Sequence, residues 1–290
     1  MKTHKLLSIL LMTVLLTGCS TPKFLKQGHM ASKSFYYKTN FSTIKTLIVL
    51  PVEINGINRN FLFDTGAEVT LLQRDTTKGK IEKINGSTNR KTNVGSETIQ
   101  SMKIGTVEFV DTYAMNANLI GLKEQVPNFG GLIGQPMISK ANWLIDYPNK
   151  SIEISDKHLI DSTYKPVEIR QKKGATYITL IINGAKYPAL IDLGSSSALA
   201  IPENSELAKQ MLEKYDFQEN EREIYSIGGL QKTKEKVGNI KSIYLNDIEF
   251  KNVKATIRHT SEIRIGNDFF KDYIVYIDNS NSNYSLKKTN

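Results

Sequence analysis

The sequence holds a single cysteine, Cys19, in 290 residues. One thiol closes no internal disulfide and builds no cysteine-rich metal site. The four histidines, His4, His29, His158 and His259, stand far apart, and no His-x-x-x-His spacing supplies the ligands of a zinc hydrolase. Neither a metal nor an organic cofactor is therefore expected. Also lacking is a concentrated basic stripe with interleaved aromatics, so nucleic acid is not an expected partner. Basic residues outnumber acidic ones 38 to 29, but the two signs alternate, as in Lys78 to Lys83 (KGKIEK) and Lys232 to Lys241 (KTKEKVGNIK). This describes a solvated mixed-charge surface. With 40% hydrophobic and 23% charged residues the chain can bury a core, and its length suggests about two domains.

The N-terminus reads MKTHKLLSILLMTVLLTGCS. Lys2 and Lys5 precede an apolar run, Leu6 to Leu16, that is shorter than the roughly 20 residues a bilayer span needs. This is the pattern of a secretory signal. Leu16-Thr17-Gly18-Cys19 resembles the lipobox of bacterial lipoproteins, and the resemblance implies cleavage before Cys19 and a diacylglycerol on its thiol. The expectation is a signal peptide over 1–18 and a lipidated Cys19 with a tether over 19–44. The protein would then sit in the bacterial cell envelope, anchored to a membrane by lipid chains at about 0.8 kcal/mol per buried CH₂. Removal of 1–18 leaves 36 basic against 29 acidic residues, a net charge of +7.

Beyond residue 44, short alternating stretches punctuated by Gly and Asn point to a mainly β protein. Glu203 to Phe217 (ENSELAKQMLEKYDF) is the clear helical segment, with Leu207, Met211 and Tyr215 on one face and Asn204 or Ser205 as cap. The chain is also written twice. Val52 to Leu72 (VEINGINRNFLFDTGAEVTLL) pairs with Leu180 to Ile201 (LIINGAKYPALIDLGSSSALAI). Each has an Asn-Gly hairpin turn and an Asp nine residues after that Asn. Met102 to Val110 pairs with Ile243 to Lys251, two strand pairs with the same alternation. Gly130 to Ser155 pairs with Ile263 to Lys287, in which Gly134 and Gly266, and Asp146 and Asp278, share an offset of 132.

Phe63-Asp64-Thr65-Gly66-Ala67 with Leu132-Ile133-Gly134, and Ile191-Asp192-Leu193-Gly194-Ser195 with Ile265-Gly266, resemble the two halves of the pepsin and retropepsin-like aspartic proteases. The resemblance covers roughly residues 45 to 287. It implies two pseudo-symmetric closed β-barrel lobes, 45–160 and 161–290, with a cleft between them and a peptide or unfolded protein as substrate. Two lobes in one chain complete such a site without an oligomer. Two carboxylates brought together across the lobe interface cannot both ionise cheaply, so Asp64 and Asp192 titrate as a pair. One takes a proton from the attacking water and the other hydrogen-bonds the peptide carbonyl.

Gly66 and Gly194 permit close backbone approach. The resemblance implies that Thr65 joins a cross-lobe hydrogen-bond lattice and that Ser195 donates to Asp192, while Ala67 is the retropepsin-like residue at the matching place. Leu193 breaks the pattern, because it has no hydroxyl to return the bond. Arg264 is a second departure, standing where the family favours an apolar residue. Two readings follow: an active endopeptidase, or a degenerate relative that binds peptide or glycan in the cleft. Asp146 and Asp278, beside Asn-rich turns, read as solvent-facing turn residues. Ile84 to Ser96 and Ser226 to Lys236 lie where the family carries a flap, with Gly86, Gly228 and Gly229 at candidate tips and Tyr225 a candidate cleft residue. Ordinary surface loops would carry the same Gly and Asn.

Overall fold

The structure is a computed structural model that describes residues 26–85, 91–172, 174–226 and 229–289. The segment expected to be a signal peptide (1–18), Cys19, Gly86 and Gly228 lie outside the described residues. Three sheets account for nearly all of the regular structure. The Asn-Gly turns form as their residue types demand: Asn55 and Gly56 have φ of 53° and 76°, Asn183 and Gly184 of 52° and 81°. Both central positions of such a two-residue hairpin need positive φ.

In the first lobe, hydrogen-bonded neighbours run from Leu47–Ile54 through Ile57–Phe63, Phe129–Ile133, Thr70–Gln73, Val107–Ala117 and Lys91–Ile104 back to Leu47–Ile54. The second lobe repeats that circuit from Ala175–Ile182 through Ala185–Ile191, Arg264–Ile265, Leu199–Pro202, Ile248–Arg258 and Gly229–Leu245 back to Ala175–Ile182. A ring of pairings leaves no strand edge along its circuit, which is how a barrel avoids edge-to-edge association. The architecture is the mainly β, two-lobed one that the duplicated sequence suggested.

A six-stranded sheet joins the lobes in the order Lys165–Val167, Asn283–Lys288, Tyr273–Asp278, Asn142–Asp146, Ser151–Ser155, Tyr36–Asn40. At its centre Leu144 pairs antiparallel with Tyr276, flanked by Trp143 with Ile277 and Ile145 with Val275. Leu144 and Tyr276 differ by the repeat offset of 132, so the pseudo-twofold axis passes through this residue pair. Asp146 and Asp278 close the two equivalent hairpins by accepting from the backbone N–H groups of Asn149 and Asn281, each at 3.0 Å. Asp278 is buried rather than solvent-facing, because Asn281 and His158 also cover its other oxygen.

Buried side chains form one apolar cluster that runs through both lobes. Trp143 lies 5.0 Å from Phe63 and 6.3 Å from Phe109, ring centre to ring centre. Phe250, Phe269 and Tyr273 stack in lobe two. A smaller cluster, including Val49, Leu62, Leu122, Val126 and Leu132, covers another face of lobe one.

Two expectations change. Residues 36–44 are not tether: Tyr36–Asn40 forms the last strand of the joining sheet and Ser42–Ile44 pairs with Leu47–Ile54. The helix is shorter than 203–217 and spans Glu206–Lys214. It starts where the Ser205 hydroxyl accepts from Ala208 N–H at 3.1 Å, satisfying a free helix donor. It stops because Tyr215 is already extended and leads into the strand Phe217–Ser226.

Candidate active site

Each candidate aspartate is delivered by a buried apolar strand. Ile57–Phe63 ends on Phe61, Leu62 and Phe63, and Ala185–Ile191 on Ala189, Leu190 and Ile191, all buried. Beyond the strand end, Asp64 N–H donates to Ile133 O at 3.0 Å and Asp192 N–H to Ile265 O at 2.9 Å. These bonds pin both turns to the apolar segments ahead of Gly134 and Gly266. Any side chain at those glycines would strike backbone carbonyls: of Val69 and Ala67 at the first, of Ser195 and Ser197 at the second.

The carboxylates cross between lobes. A Cβ on Gly66 would come within 2.7 Å of Asp192 Oδ1, and one on Gly194 would overlap the whole Asp64 carboxylate. Both glycines are therefore required by close approach, and each aspartate lies against the other lobe's turn. Gly66 N–H donates to Asp64 Oδ1 at 2.9 Å, and Gly194 N–H to Asp192 Oδ1 at 3.1 Å. Burial, reinforced by the Asp192 charge, raises the Asp64 pKa to about 7, against smaller lowering effects from the Gly66 and Ala67 N–H groups and from Arg264. A carboxyl so placed keeps its proton to near neutrality.

The cross-lobe lattice is half built. Thr65 is buried; its hydroxyl donates to Ile191 O and accepts from Leu193 N–H, both at 3.0 Å. Leu193, fully buried among core side chains, returns nothing. A second pair of anchors was not singled out from the sequence. Gln135 Nε2 donates to Thr65 O at 2.7 Å and Asn267 Nδ2 to Leu193 O at 2.5 Å. Their N–H groups also bond Ala67 O and Ser195 O, each at 3.0 Å. They share the 132-residue offset and immediately follow Gly134 and Gly266, so an amide after each glycine was the available signal.

Ser195 does not donate to Asp192 as the resemblance implied. Its hydroxyl accepts from Ser197 N–H at 3.4 Å, while Arg264 holds the aspartate's outer oxygen. Arg264 Nη1 lies 3.0 Å from Asp192 Oδ2, and Nη2 3.4 Å from Glu262 Oε1. The equivalent residue in lobe one is Leu132, whose strand pairs with Leu62 as that of Arg264 pairs with Leu190. The departure seen at Arg264 is thus a cation placed directly on one of the two candidate aspartates.

Both flap segments form hairpins, Lys80–Asn85 with Lys91–Ile104 and Phe217–Ser226 with Gly229–Leu245. Gly229 pairs with Ser226 next to the tip. Among the described residues, only the lobe-two hairpin lines the cavity beside Asp192, through Arg222, Glu223, Ile224, Gln231 and Thr233. It meets the lobe-one helix Ile120–Lys123. Arg222 straps it to the Asp192 loop, donating to Ser197 Oγ at 3.0 Å and Ser196 Oγ at 3.2 Å. No group of His, Cys, Asp and Glu among the described residues is arranged to hold a metal.

No protein-family model matches the chain, and no curated protein does. Among solved structures, the aspartic proteinase from Irpex lacteus aligns with a TM-score of 0.56 over 88% of this chain and 98% of its own, at 11% sequence identity. A likeness at that identity is one of fold. The fold of this chain is that of the pepsin-like aspartic proteinases.

Proposed function

We propose that the protein is an aspartic endopeptidase, with Asp192 as the base and Asp64 as the acid. The observation that carries this reading is the crossing of the two carboxylates, each seated against the glycine of the opposite turn. Asp192, ion-paired with Arg264, is the ionised member. It takes a proton from a water whose oxygen attacks the peptide carbonyl carbon. Protonated Asp64 hydrogen-bonds the carbonyl oxygen as negative charge develops there, and a proton passes to the leaving nitrogen as the C–N bond breaks. The chain would act at the cell envelope, exported and lipid-anchored through Cys19.

A quenched-fluorescent peptide library incubated from acid to neutral pH tests the reaction. Cleavage is expected to fall as pH rises through about 7, where Asp64 loses its proton. Asp64→Asn and Asp192→Asn are each expected to lower kcat/KM by at least about 100-fold, and pepstatin to inhibit. Absence of cleavage at every pH would sink the proposal. In the same cells, Cys19→Ala is expected to move the protein out of the membrane fraction; unchanged membrane retention would refute the anchor.

Two observations favour a second reading, a non-catalytic receptor for extended peptide: Arg264 occupies Asp192 Oδ2, and Leu193 leaves the lattice one-sided. Peptide binding that survives Asp192→Asn, with no cleavage by the unsubstituted protein, would select it.

A further inference from the structure

The lobe-two wall of the cleft carries three arginines, and two have their charge met. Arg264 pairs with Asp192 and Glu262. Arg222 pairs with buried Glu235 at 3.5 Å and bonds two serine hydroxyls. Arg258 has no ion-pair partner among the described residues, and its Nε is buried without a hydrogen-bond acceptor. Arg264 Nε is buried in the same condition. Burial, with Arg222 close by, lowers the Arg258 pKa to about 10, so the group is still a cation at neutral pH.

Arg258 is not a side chain free to swing to solvent from a loop. It ends the strand Ile248–Arg258, where its backbone pairs with Pro202 and its carbonyl accepts from Glu203 N–H at 3.0 Å. Arg258 as a whole is partly buried, and a guanidinium with a buried, unpartnered N–H and no anion is costly unless another molecule supplies one. Arg258 lines a cavity of about 180 Å³ that also reaches Asp192, Arg222, Arg264 and His259. The lobe-one wall of that cavity is mostly apolar, with Leu47, Leu62, Leu122 and Val126 beside Lys45 and Gln125. Asp192 and Glu235 lie near Arg258, and they oppose a dianion such as phosphate more than a single negative charge.

We infer that this cavity is a subsite for a carboxylate of the peptide ligand, received by Arg258, with an apolar neighbouring residue laid against Leu62 and Leu122. The inference rests on the cleft accepting peptide, as proposed above. The planar fork of Arg258 suits the two oxygens of a carboxylate, and the subsite adjoins the reacting carbonyl because Asp192 shares its wall. An Asp or Glu side chain and a free C-terminus present the same chemistry.

Fluorescence anisotropy on full-length protein carrying Asp64→Asn separates binding from turnover. Three labelled peptides differ in one feature: an internal Glu with an amidated C-terminus, Gln in its place with an amidated C-terminus, and the Gln peptide as the free acid. A carboxylate peptide is expected to bind at least about tenfold more tightly than the Gln amide. Preference confined to the Glu amide identifies a side-chain carboxylate, and preference confined to the free acid a terminal one. Adding Arg258→Gln is expected to bring the affinities together, while Arg258→Lys, which keeps the charge, retains part of the difference. Equal affinities for all three peptides, no binding of any, or a preference that survives Arg258→Gln would each overturn the inference. Failure of the cleavage test leaves this measurement standing, because no turnover enters it.

Discussion

At the scale of single residues, Asp64 couples the proposed chemistry of the cleft to the stability of the fold. Its folded-state pKa, about 7, lies above the ordinary value of 3.8. Between those values the folded protein holds a proton that the unfolded chain has lost. The stability linked to this group is therefore complete below about pH 3.8 and is lost as pH rises through about 7. Asp64→Asn removes that penalty. The variant is expected to gain roughly 2–4 kcal/mol over the unsubstituted protein at pH 8, and the gain to vanish below pH 4. Thermal melts at the two pH values check this, and a variant that melts lower at pH 8 would contradict the burial and repulsion assigned to Asp64.

The two aspartates were legible in the sequence because the duplication marked them twice. Arg264 was legible only as a break in the pattern, since no spacing rule says that a side chain one strand away will reach Asp192. Arg258 carried no mark at all. Its significance comes from lacking a partner, and partners are set by three-dimensional packing. Gln135 and Asn267 were hidden by differing in type, although their amides do the same work.

At the scale of elements, local periodicity revealed hairpins and missed partners distant in sequence. The turns at Asn55-Gly56 and Asn183-Gly184 are decided by two adjacent residues. Tyr36–Asn40 is too short to announce itself and pairs with residues more than 100 positions away. Its place is nonetheless structural. Lys38 pairs with Glu153 at 2.9 Å, Phe35 N–H donates to Asp156 Oδ1 at 2.8 Å, and Phe41 just beyond is buried against the core. A chain beginning at Lys45 loses all of these and leaves Ser151–Ser155 as an open edge. Phe41 alone represents about 2–3 kcal/mol of burial. The shortened chain is expected to unfold at a clearly lower urea midpoint than one beginning at residue 26. Equal midpoints would mean that the strand is dispensable.

At the scale of the molecule, the joining sheet and the continuous core make the lobes interdependent. Three strands from each half lie side by side in that sheet and meet where Asn142–Asp146 pairs with Tyr273–Asp278, so a separated half would expose the edge at which they join. Unfolding is expected to be a single transition. Trp143, the sole tryptophan, is buried in the joining sheet, and its fluorescence reports the centre of the molecule. Far-UV circular dichroism reports the whole. The two curves against urea should superimpose, and a separation would show lobes that melt independently. Which strands meet between the halves was beyond sequence reading, because the repeat fixes equivalence between residues and not contact between them.

Leu132 and Arg264 occupy equivalent positions and give the two sides of the dyad different electrostatic surroundings. In a site assembled from two identical halves, symmetry would leave the proton with two tautomers of equal energy, and a peptide could enter in either direction. Here the cation stands beside Asp192 alone, which removes that degeneracy. For the proposed reaction, the acid and the base have fixed addresses, and the cleft acquires a polarity: a peptide has one productive orientation across it from N- to C-terminus.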